Sequence, residues 1–230
     1  SPPNLPGWDA IPIVGILEER LGVRTFLQND ANACAFAEWK FGAGRGYNHL
    51  VFITFGTGFG AGLVLSGRLY RGANDMAGEI GHVRLTEDGP VGYGKAGSVE
   101  GYCSGGGIRQ IALRLLENPT PAVRASALYR LAATPDQVTA KSIAELAETG
   151  DEVCLGIYRS SGAMLGRGLS ILIDILNPEI IVIGSIFTRS HDLLWDSTKE
   201  AIEREALPWS RDACQVVCSE LGERVGDIAA

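Results

Sequence analysis

The chain has 230 residues, of which 46% are hydrophobic and 20% are charged. This size and composition allow a buried core, arranged as one large domain or two small ones. The net charge of -7 and the pI near 5.0 argue against a nucleic-acid surface in this segment, because such surfaces cluster Lys and Arg. No uninterrupted apolar run reaches membrane-spanning length and the first residues do not form a signal peptide, so we expect a cytoplasmic location and no membrane contact.

In the first part of the chain, hydrophobic patterning predicts several strands and one helix. The segment 24–28 is predicted as a short strand and 31–41 as an alanine-rich helix. Residues 50–70 are predicted as strands that turn at 56–58. The glycine-rich stretch 71–107 is predicted as a long functional loop region rather than regular structure.

From residue 108 onward, helices dominate the pattern, and two strands are interspersed with them. Strands that alternate with helices indicate an α/β domain. The predicted helices are 108–117, 122–133, 140–148, 152–176 and 193–205, and the predicted strands are 179–183 and 214–221.

The cysteines argue against a disulfide framework or a zinc ribbon. Five are present, an odd number, and no two of them form a C-x-x-C pair. We therefore expect reduced, mostly buried thiols. Cys214 and Cys218 fall on one face of a predicted strand, which favours a role in core packing.

A glycine-rich turn joins the two strands predicted in VFITFGTGFGAG, residues 51–62. Gly56 and Gly58 carry no Cβ, so their backbone can approach a ligand closely. Together with Thr57 they present successive backbone N–H groups, which can form an anion-binding nest. The segment indicates a phosphate cradle, with an ordinary glycine-rich hairpin as the alternative.

Asp30 places a carboxylate where the first predicted strand meets the first predicted helix, in QNDANA. It could simply cap that helix, as an Asp in this position commonly does. It could also act as a general base, because many α/β active sites lie at strand ends.

A second polar group lies in the glycine-flanked sequence AGEIGH, which holds Glu79 and His82 three residues apart, with Glu100 further along the same region. A metal site lacks a third ligand at a recognisable spacing. A carboxylate and a neutral imidazole can instead hold adjacent hydroxyls of a polyol. Taken singly, each residue could also be a solvated surface charge.

Together these motifs resemble the ROK family of bacterial sugar kinases and sugar-sensing repressors. The resemblance covers nearly the whole chain in the family's order, through PNLPGW, QNDANACAFAEW, ITFGTGFGAGLVLSGRLYRG, MAGEIGH and NPEIIVIGS. It implies the actin/hexokinase-like (ribonuclease H-like) ATPase fold. Residues 1–230 would form mostly the larger, sugar- and nucleotide-binding lobe, with the family's amino-terminal Asp-x-Gly-Gly-Thr phosphate hairpin absent from this chain.

The resemblance also implies roles for individual residues. Asp30 would be the base that accepts the proton of the attacking sugar hydroxyl. The implied sugar-binding residues are Asn4, Asn29, Asp30, Glu79, His82 and Glu100. The implied ATP-binding residues are Gly56, Thr57 and Gly58 at the phosphates and Gly184 and Ser185 at the adenosine, with Mg²⁺ as the accompanying ion.

One departure from the family concerns its structural zinc. Val91, Tyr93 and Ser98 stand where the family usually has three cysteines. These side chains cannot replace soft thiolate ligands, so we expect no zinc. We expect the loop to be held by packing of Tyr93 and by the G-Y-C-S segment after Glu100.

The resulting hypothesis is a glucokinase-like, ATP-dependent hexose kinase that forms a homodimer. The alternative is a non-enzymatic, sugar-responsive ROK repressor whose DNA-binding domain lies upstream, and a third possibility is a degenerate sugar-binding module. An upstream phosphate hairpin would indicate the kinase, whereas a basic winged helix would indicate the repressor.

Overall fold

A five-stranded mixed sheet runs through the structure, a computed structural model that describes residues 10–229. Its strand order is β3-β2-β1-β6-β7, and β4 and β5 form a separate small hairpin. The strands are β1 (Leu50–Phe55), β2 (Phe59–Leu65), β3 (Arg68–Tyr70), β4 (Val91–Gly92), β5 (Lys95–Ala96), β6 (Ile180–Ser185) and β7 (Gln215–Cys218).

The sheet changes from antiparallel to parallel pairing at β1. This strand pairs antiparallel with β2 and parallel with β6, and β6 pairs parallel with β7. In the β1–β6 register, Phe55 lies opposite Ser185. The carboxyl ends of β1 and β6 therefore lie side by side.

Helices cover both faces of this sheet. Within the described residues they are α1 (Ile13–Leu21), α2 (Asp30–Phe41), α3 (Val99–Tyr102), α4 (Gly105–Glu117), α5 (Pro121–Ala125), α6 (Ala127–Leu131), α7 (Ala140–Glu148), α8 (Glu152–Leu176), α9 (Ile186–Arg189), α10 (His191–Glu205), α11 (Pro208–Asp212) and α12 (Val225–Ala229).

The long helix α8 has clear start and stop signals in its sequence. Asp151 caps its beginning, with Oδ1 accepting the N–H groups of Val153 at 3.1 Å and Cys154 at 3.0 Å. Asn177 ends it in the left-handed conformation (φ 45°), and Pro178 follows. The structure has this helix over the bounds that the sequence predicts.

Alternating residues of the central strands supply two hydrophobic cores. Val51, Ile53 and Phe55 face the cluster that includes α8 and α10. Leu50 and Phe52 face the other cluster, with Ala35 of α2. Because both faces are covered, these strands are almost continuously apolar instead of alternating with polar residues.

Several predicted elements differ from those observed. Segment 24–28 is not a strand. The predicted helix 122–133 is two short helices, because Ser126 has an extended backbone (φ -72°, ψ 161°) and its hydroxyl accepts the Tyr129 N–H to start the second. The predicted loop 71–107 contains the β4–β5 hairpin, the short helix α3 and the start of α4.

All five thiols are free, and two of them are fully buried. Burial raises the pKa of Cys214 to about 12. The pKa of Cys154 is also raised to about 12, mainly by burial and to a smaller extent by the nearby Asp151 carboxylate. Cys214 and Cys218 both pack against the larger core, as predicted. Among the described residues no helix combines the length and apolarity that a membrane span requires.

Candidate active site

A cleft of about 1280 Å³ lies at the carboxyl ends of β1 and β6. It gathers most of the residues singled out in the sequence, although they come from distant parts of the chain. The predicted site residues that line it are Asn29, Asp30, Gly56, Thr57, Gly58, Glu79, Glu100 and Ser185.

The amino terminus of α2 forms one end of the cleft. Its cap is Asn29, whose Oδ1 accepts the N–H of Asn32 at 3.1 Å. Asp30 is therefore the first helical residue and not the cap. Its Oδ1 accepts the N–H of the adjacent Ala31 at 2.8 Å, and the side chain is exposed to the cleft. The carboxylate is thus available to a ligand.

The turn after β1 has the features of a phosphate site. Its conformation is closed by a hydrogen bond from the Gly56 N–H to the Gly58 carbonyl oxygen at 3.0 Å. The N–H groups of Thr57 and Gly58 find no acceptor within residues 10–229. Two free N–H groups beside one another can bind an anion.

Helix α4 begins beside this turn. The Gly105 N–H donates to the Gly56 carbonyl oxygen at 2.9 Å, and Gly105 and Gly106 line the cleft. The Ser104 hydroxyl caps the helix by accepting the Gly107 N–H at 3.0 Å. The positive end of a thirteen-residue helix therefore reinforces the anion-binding character of the turn.

Glycines in AGEIGH allow Glu79 to lie close to β2. The Ala61 N–H donates to the Gly78 carbonyl oxygen at 3.0 Å. A Cβ on Gly78 (φ 96°) would collide with the Ala61 carbonyl oxygen, and a Cβ on Gly81 with that of Phe59. These contacts hold the intervening loop against the sheet, so that Glu79 is presented at the cleft.

His82 lies beside the cleft and is absent from its lining. Its ring meets that of Tyr93 edge-on, with 6.2 Å between centroids. Its carbonyl oxygen accepts a hydrogen bond from Lys95 Nζ at 2.8 Å. Gly184 is also absent from the lining: it is packed over Phe52, whose ring would be 3.4 Å from an added Cβ. Asn4 lies outside the described residues.

The residues at the family's zinc-ligand positions belong to the β4–β5 hairpin and its exit. Ser98 caps α3, its Oγ accepting the Gly101 N–H at 3.1 Å. Val91 pairs with Ala96 across the hairpin. Tyr93 is 73% exposed. In the part of the chain that the structure describes, no three His, Cys, Asp or Glu side chains are placed to hold a metal ion.

Hydrogen bonds from α4 hold this hairpin, and one from α3 reaches the segment that precedes it. The Gln110 side-chain amide donates to the Val91 carbonyl oxygen and accepts the Val91 N–H, both at 2.8 Å. The Tyr102 hydroxyl lies 3.0 Å from Thr86 Oγ1. The prediction that Tyr93 packing holds the loop is therefore wrong, since that side chain is mostly in solvent, whereas Tyr102 of the G-Y-C-S segment does take part.

The far wall of the cleft was missed by sequence reasoning. It is formed mainly by α7 and the region around α9, together with Arg109 of α4. Nothing local in these segments indicates a site. One sequence signal for a phosphate site was available. In Ser104-Gly105-Gly106-Gly107, a capping residue is followed by three glycines that begin a helix. The missed residues of this wall and of the start of α4 are Gly105, Gly106, Arg109, Thr139, Ala140, Lys141, Ala144, Glu145, Glu148, Tyr158, Ile186, Arg189 and Ser190.

Comparison with known proteins identifies the family to which this chain is similar. The ROK family model matches residues 1–230. A glucokinase from Thermotoga maritima is 35% identical over 229 residues, which are 99% of this chain and 71% of that enzyme. A ROK family glucokinase from Streptomyces griseus, solved in complex with glucose and AMPPNP, matches with a TM-score of 0.81 and 32% identity over 95% of this chain and 70% of that one.

Regulators are also similar to this chain. A ROK family transcriptional regulator, a homolog of the E. coli MLC protein, matches with a TM-score of 0.82 and 27% identity, over 94% of this chain and 54% of that one. The same fold therefore occurs in glucokinases and in transcriptional regulators. The chain belongs to the ROK family and has the actin/hexokinase-like fold of that family's sugar kinases.

Proposed function

We propose that the protein transfers the γ-phosphoryl group of ATP to a hexose. The observation that carries this proposal is the composition of the cleft at the carboxyl ends of β1 and β6. Its lining combines the carboxylates of Asp30, Glu79 and Glu100 with the free N–H groups of the Gly56–Gly58 turn. Carboxylates suit the hydroxyls of a sugar, whereas N–H groups and a helix amino terminus suit phosphate.

In this proposal Asp30 is the general base. As the hexose oxygen attacks the γ-phosphorus, a new P–O bond forms and the hydroxyl proton passes to the Asp30 carboxylate. The bond from the γ-phosphorus to the bridging oxygen breaks, and ADP leaves with that electron pair. Such a reaction depends on positioning and charge neutralisation more than on covalent chemistry.

Mg²⁺ fits the donors of this cleft. The ion needs only one or two protein carboxylates in addition to substrate phosphates. Asp30, Glu79 and Glu100 are among the carboxylates that line the cleft, and Glu100 lies directly beside the Gly56–Gly58 turn. Bound with ATP, it would neutralise phosphate charge. The residues described here would orient the two substrates and hold the proton on Asp30.

Other predicted contacts belong to the same proposal. Asn29, Glu79 and Glu100 would bind hexose hydroxyls. His82 would join them only if its imidazole turned into the cleft from its place beside Tyr93. Four further points stay predictions. They are sugar binding by Asn4, contact of Gly184 with the adenosine, the homodimer and the cytoplasmic location.

A sugar-responsive repressor is the second candidate, favoured by the close fold match with a ROK regulator. The glucokinases support the enzyme more strongly, because their identity is higher and this chain covers more of their length. Asp30 also supports a kinase, since hexose binding alone requires no base.

The test is hexose-dependent release of ADP by the full-length protein across a panel of hexoses, with calorimetric measurement of sugar binding in parallel. A kinase releases ADP with at least one hexose, and Asp30→Asn abolishes that release while sugar binding remains. Sugar binding without ADP release from any hexose would instead identify the sensor.

A further inference from the structure

We propose that the hydroxyl of Ser185 donates a hydrogen bond to a phosphate oxygen of the bound nucleotide, which would explain why a serine occupies a backbone conformation that normally belongs to glycine. This inference rests on the proposed function and adds the chemical role of one atom. Its support comes from the backbone conformation, the unused hydroxyl and the neighbours of that hydroxyl.

Ser185 has a conformation that normally belongs to glycine. Its backbone angles are φ 60° and ψ -120°, a combination found at the glycine position of type II′ turns. A residue with a Cβ is strained there, by roughly 1–3 kcal/mol for such conformations in general. Glycine would satisfy the chain geometry better, so the serine side chain needs another explanation.

The structure gives the hydroxyl no structural role. Ser185 precedes α9 at the cap position, yet its side chain makes no capping hydrogen bond. No other hydrogen-bond partner for its Oγ exists among residues 10–229. The two ordinary reasons for a serine here, helix capping and anchoring of a loop, are therefore both missing.

The neighbours of the hydroxyl point to phosphate. Ser185, the last residue of β6, lies opposite Phe55, the last residue of β1, in the parallel register. The Gly56–Gly58 turn begins directly after Phe55. Ser185 Oγ is 3.7 Å from the position that a Cβ on Gly56 would occupy, and the residue lines the cleft. The hydroxyl therefore lies next to Gly56, the first residue of the turn whose Thr57 and Gly58 N–H groups are free, and in this proposal it adds a third donor for phosphate.

Two variants separate the hydroxyl from the strain. Ser185→Ala removes the hydroxyl and keeps the Cβ, so the unliganded stability should stay the same while affinity for AMPPNP falls roughly ten-fold. Ser185→Gly removes both, so affinity should fall equally while the melting temperature rises by a few degrees. Ser66→Gly is the matched control, because Ser66 also has a positive φ (52°) but lies in the β2–β3 turn, outside the cleft.

The measurements are calorimetric titrations of the full-length protein with AMPPNP and with adenosine, and thermal unfolding without ligand. We expect adenosine and hexose affinities to be unchanged in all three variants. The proposal would be overturned if Ser185→Ala bound AMPPNP as tightly as the wild type does. It would also be overturned if the wild type did not bind AMPPNP. An equal loss for adenosine and AMPPNP would overturn the phosphate assignment. Failure of the proposed function has a different signature, namely no hexose-dependent ADP release by the wild type.

Discussion

Glu100 Oε2 accepts the backbone N–H of Phe59 at 3.0 Å and lies 3.1 Å from the position of a Cβ on Gly58. A carboxylate on helix α3 is thereby bonded to the first residue of β2, immediately after the phosphate turn. In the proposed function this one side chain therefore connects the residues assigned to the hexose with the turn assigned to phosphate.

Because of this connection, Glu100 and Glu79 should behave differently when truncated. Glu100→Ala leaves the Phe59 N–H unpaired beside the turn, so affinities for hexose and AMPPNP should both fall, each by roughly ten-fold. Glu79→Ala should lower hexose affinity and change AMPPNP affinity little, because within residues 10–229 no hydrogen bond joins Glu79 to the turn in the way that one joins Glu100 to Phe59. Separate titrations with each ligand decide this, and an unchanged AMPPNP affinity in Glu100→Ala would contradict the connection.

Asp30→Asn tests the general base. The amide cannot accept the hexose proton, so turnover should fall by roughly two to four orders of magnitude, while hexose affinity changes little. The control is Asp196→Asn on the exposed surface of α10, which should retain full turnover. Turnover of Asp30→Asn near the wild-type value would exclude Asp30 as the base.

Gln110→Ala tests the hydrogen bonds that hold the β4–β5 hairpin. Both bonds to Val91 are lost, so the hairpin should be cleaved faster by protease, and the melting temperature should fall by a few degrees. Hexose affinity should fall several-fold because α3, which carries Glu100, directly follows the hairpin.

The matched control for Gln110→Ala is Gln215→Ala on the edge strand β7, where the side chain is exposed.

Treatment with a strong chelator should leave the melting temperature of the wild type unchanged. A chelator effect, together with about one zinc per chain by elemental analysis, would show that a metal holds the loop after all.

Glu179 should make stability dependent on pH. Its Oε2 accepts the N–H groups of His49 at 2.8 Å and Asn48 at 2.7 Å at the start of β1, and these bonds lower the pKa of the carboxyl. Because the pKa is lower in the folded protein, the ionised carboxylate stabilises the fold at pH values above the unfolded-state pKa, which is near 4.5. This stabilisation is lost as the pH falls through the lower pKa of the folded state.

The variant Glu179→Gln should therefore be less stable than the wild type near neutral pH, and the difference should shrink as the pH falls below the unfolded-state value near 4.5. Urea unfolding at a series of pH values measures it. Glu117→Gln, at the exposed carboxyl-terminal end of α4, serves as the control and should show no such trend. A constant difference across the series would refute the role assigned to the carboxylate.

Predictions from sequence were most accurate where the local chemistry determines the structure. The bounds of α7 and α8 were predicted correctly, because Thr139 and Asp151 cap their starts and Asn177 ends α8. Segment 24–28 was wrong because its apolar residues suggested a strand, yet Phe26 and Leu27 are largely exposed and pair with no strand in the described part of the chain.

The candidate site was predictable where a motif marks it, and unpredictable where only the tertiary fold creates it. The sequence around Asp30 and the turn at Gly56 carries recognisable chemistry. By contrast, Lys141 and Glu145 lie on an ordinary amphipathic helix, and only its packing beside α8 turns that helix toward the cleft. His82 likewise contacts the β4–β5 hairpin, through the Tyr93 ring and Lys95 Nζ, and no local sequence signal indicates those contacts.

The parallel pairing of β1 with β6 has a consequence for the order in which the protein folds. Phe55 and Ser185 are neighbours in the sheet, yet about 130 residues separate them, and contacts between such distant positions form late because a long loop must first be closed. During synthesis, Asp30 and the phosphate turn leave the ribosome well before β6. The floor of the cleft is then incomplete, so the nascent chain should gain its ability to bind nucleotide only in the last steps of folding.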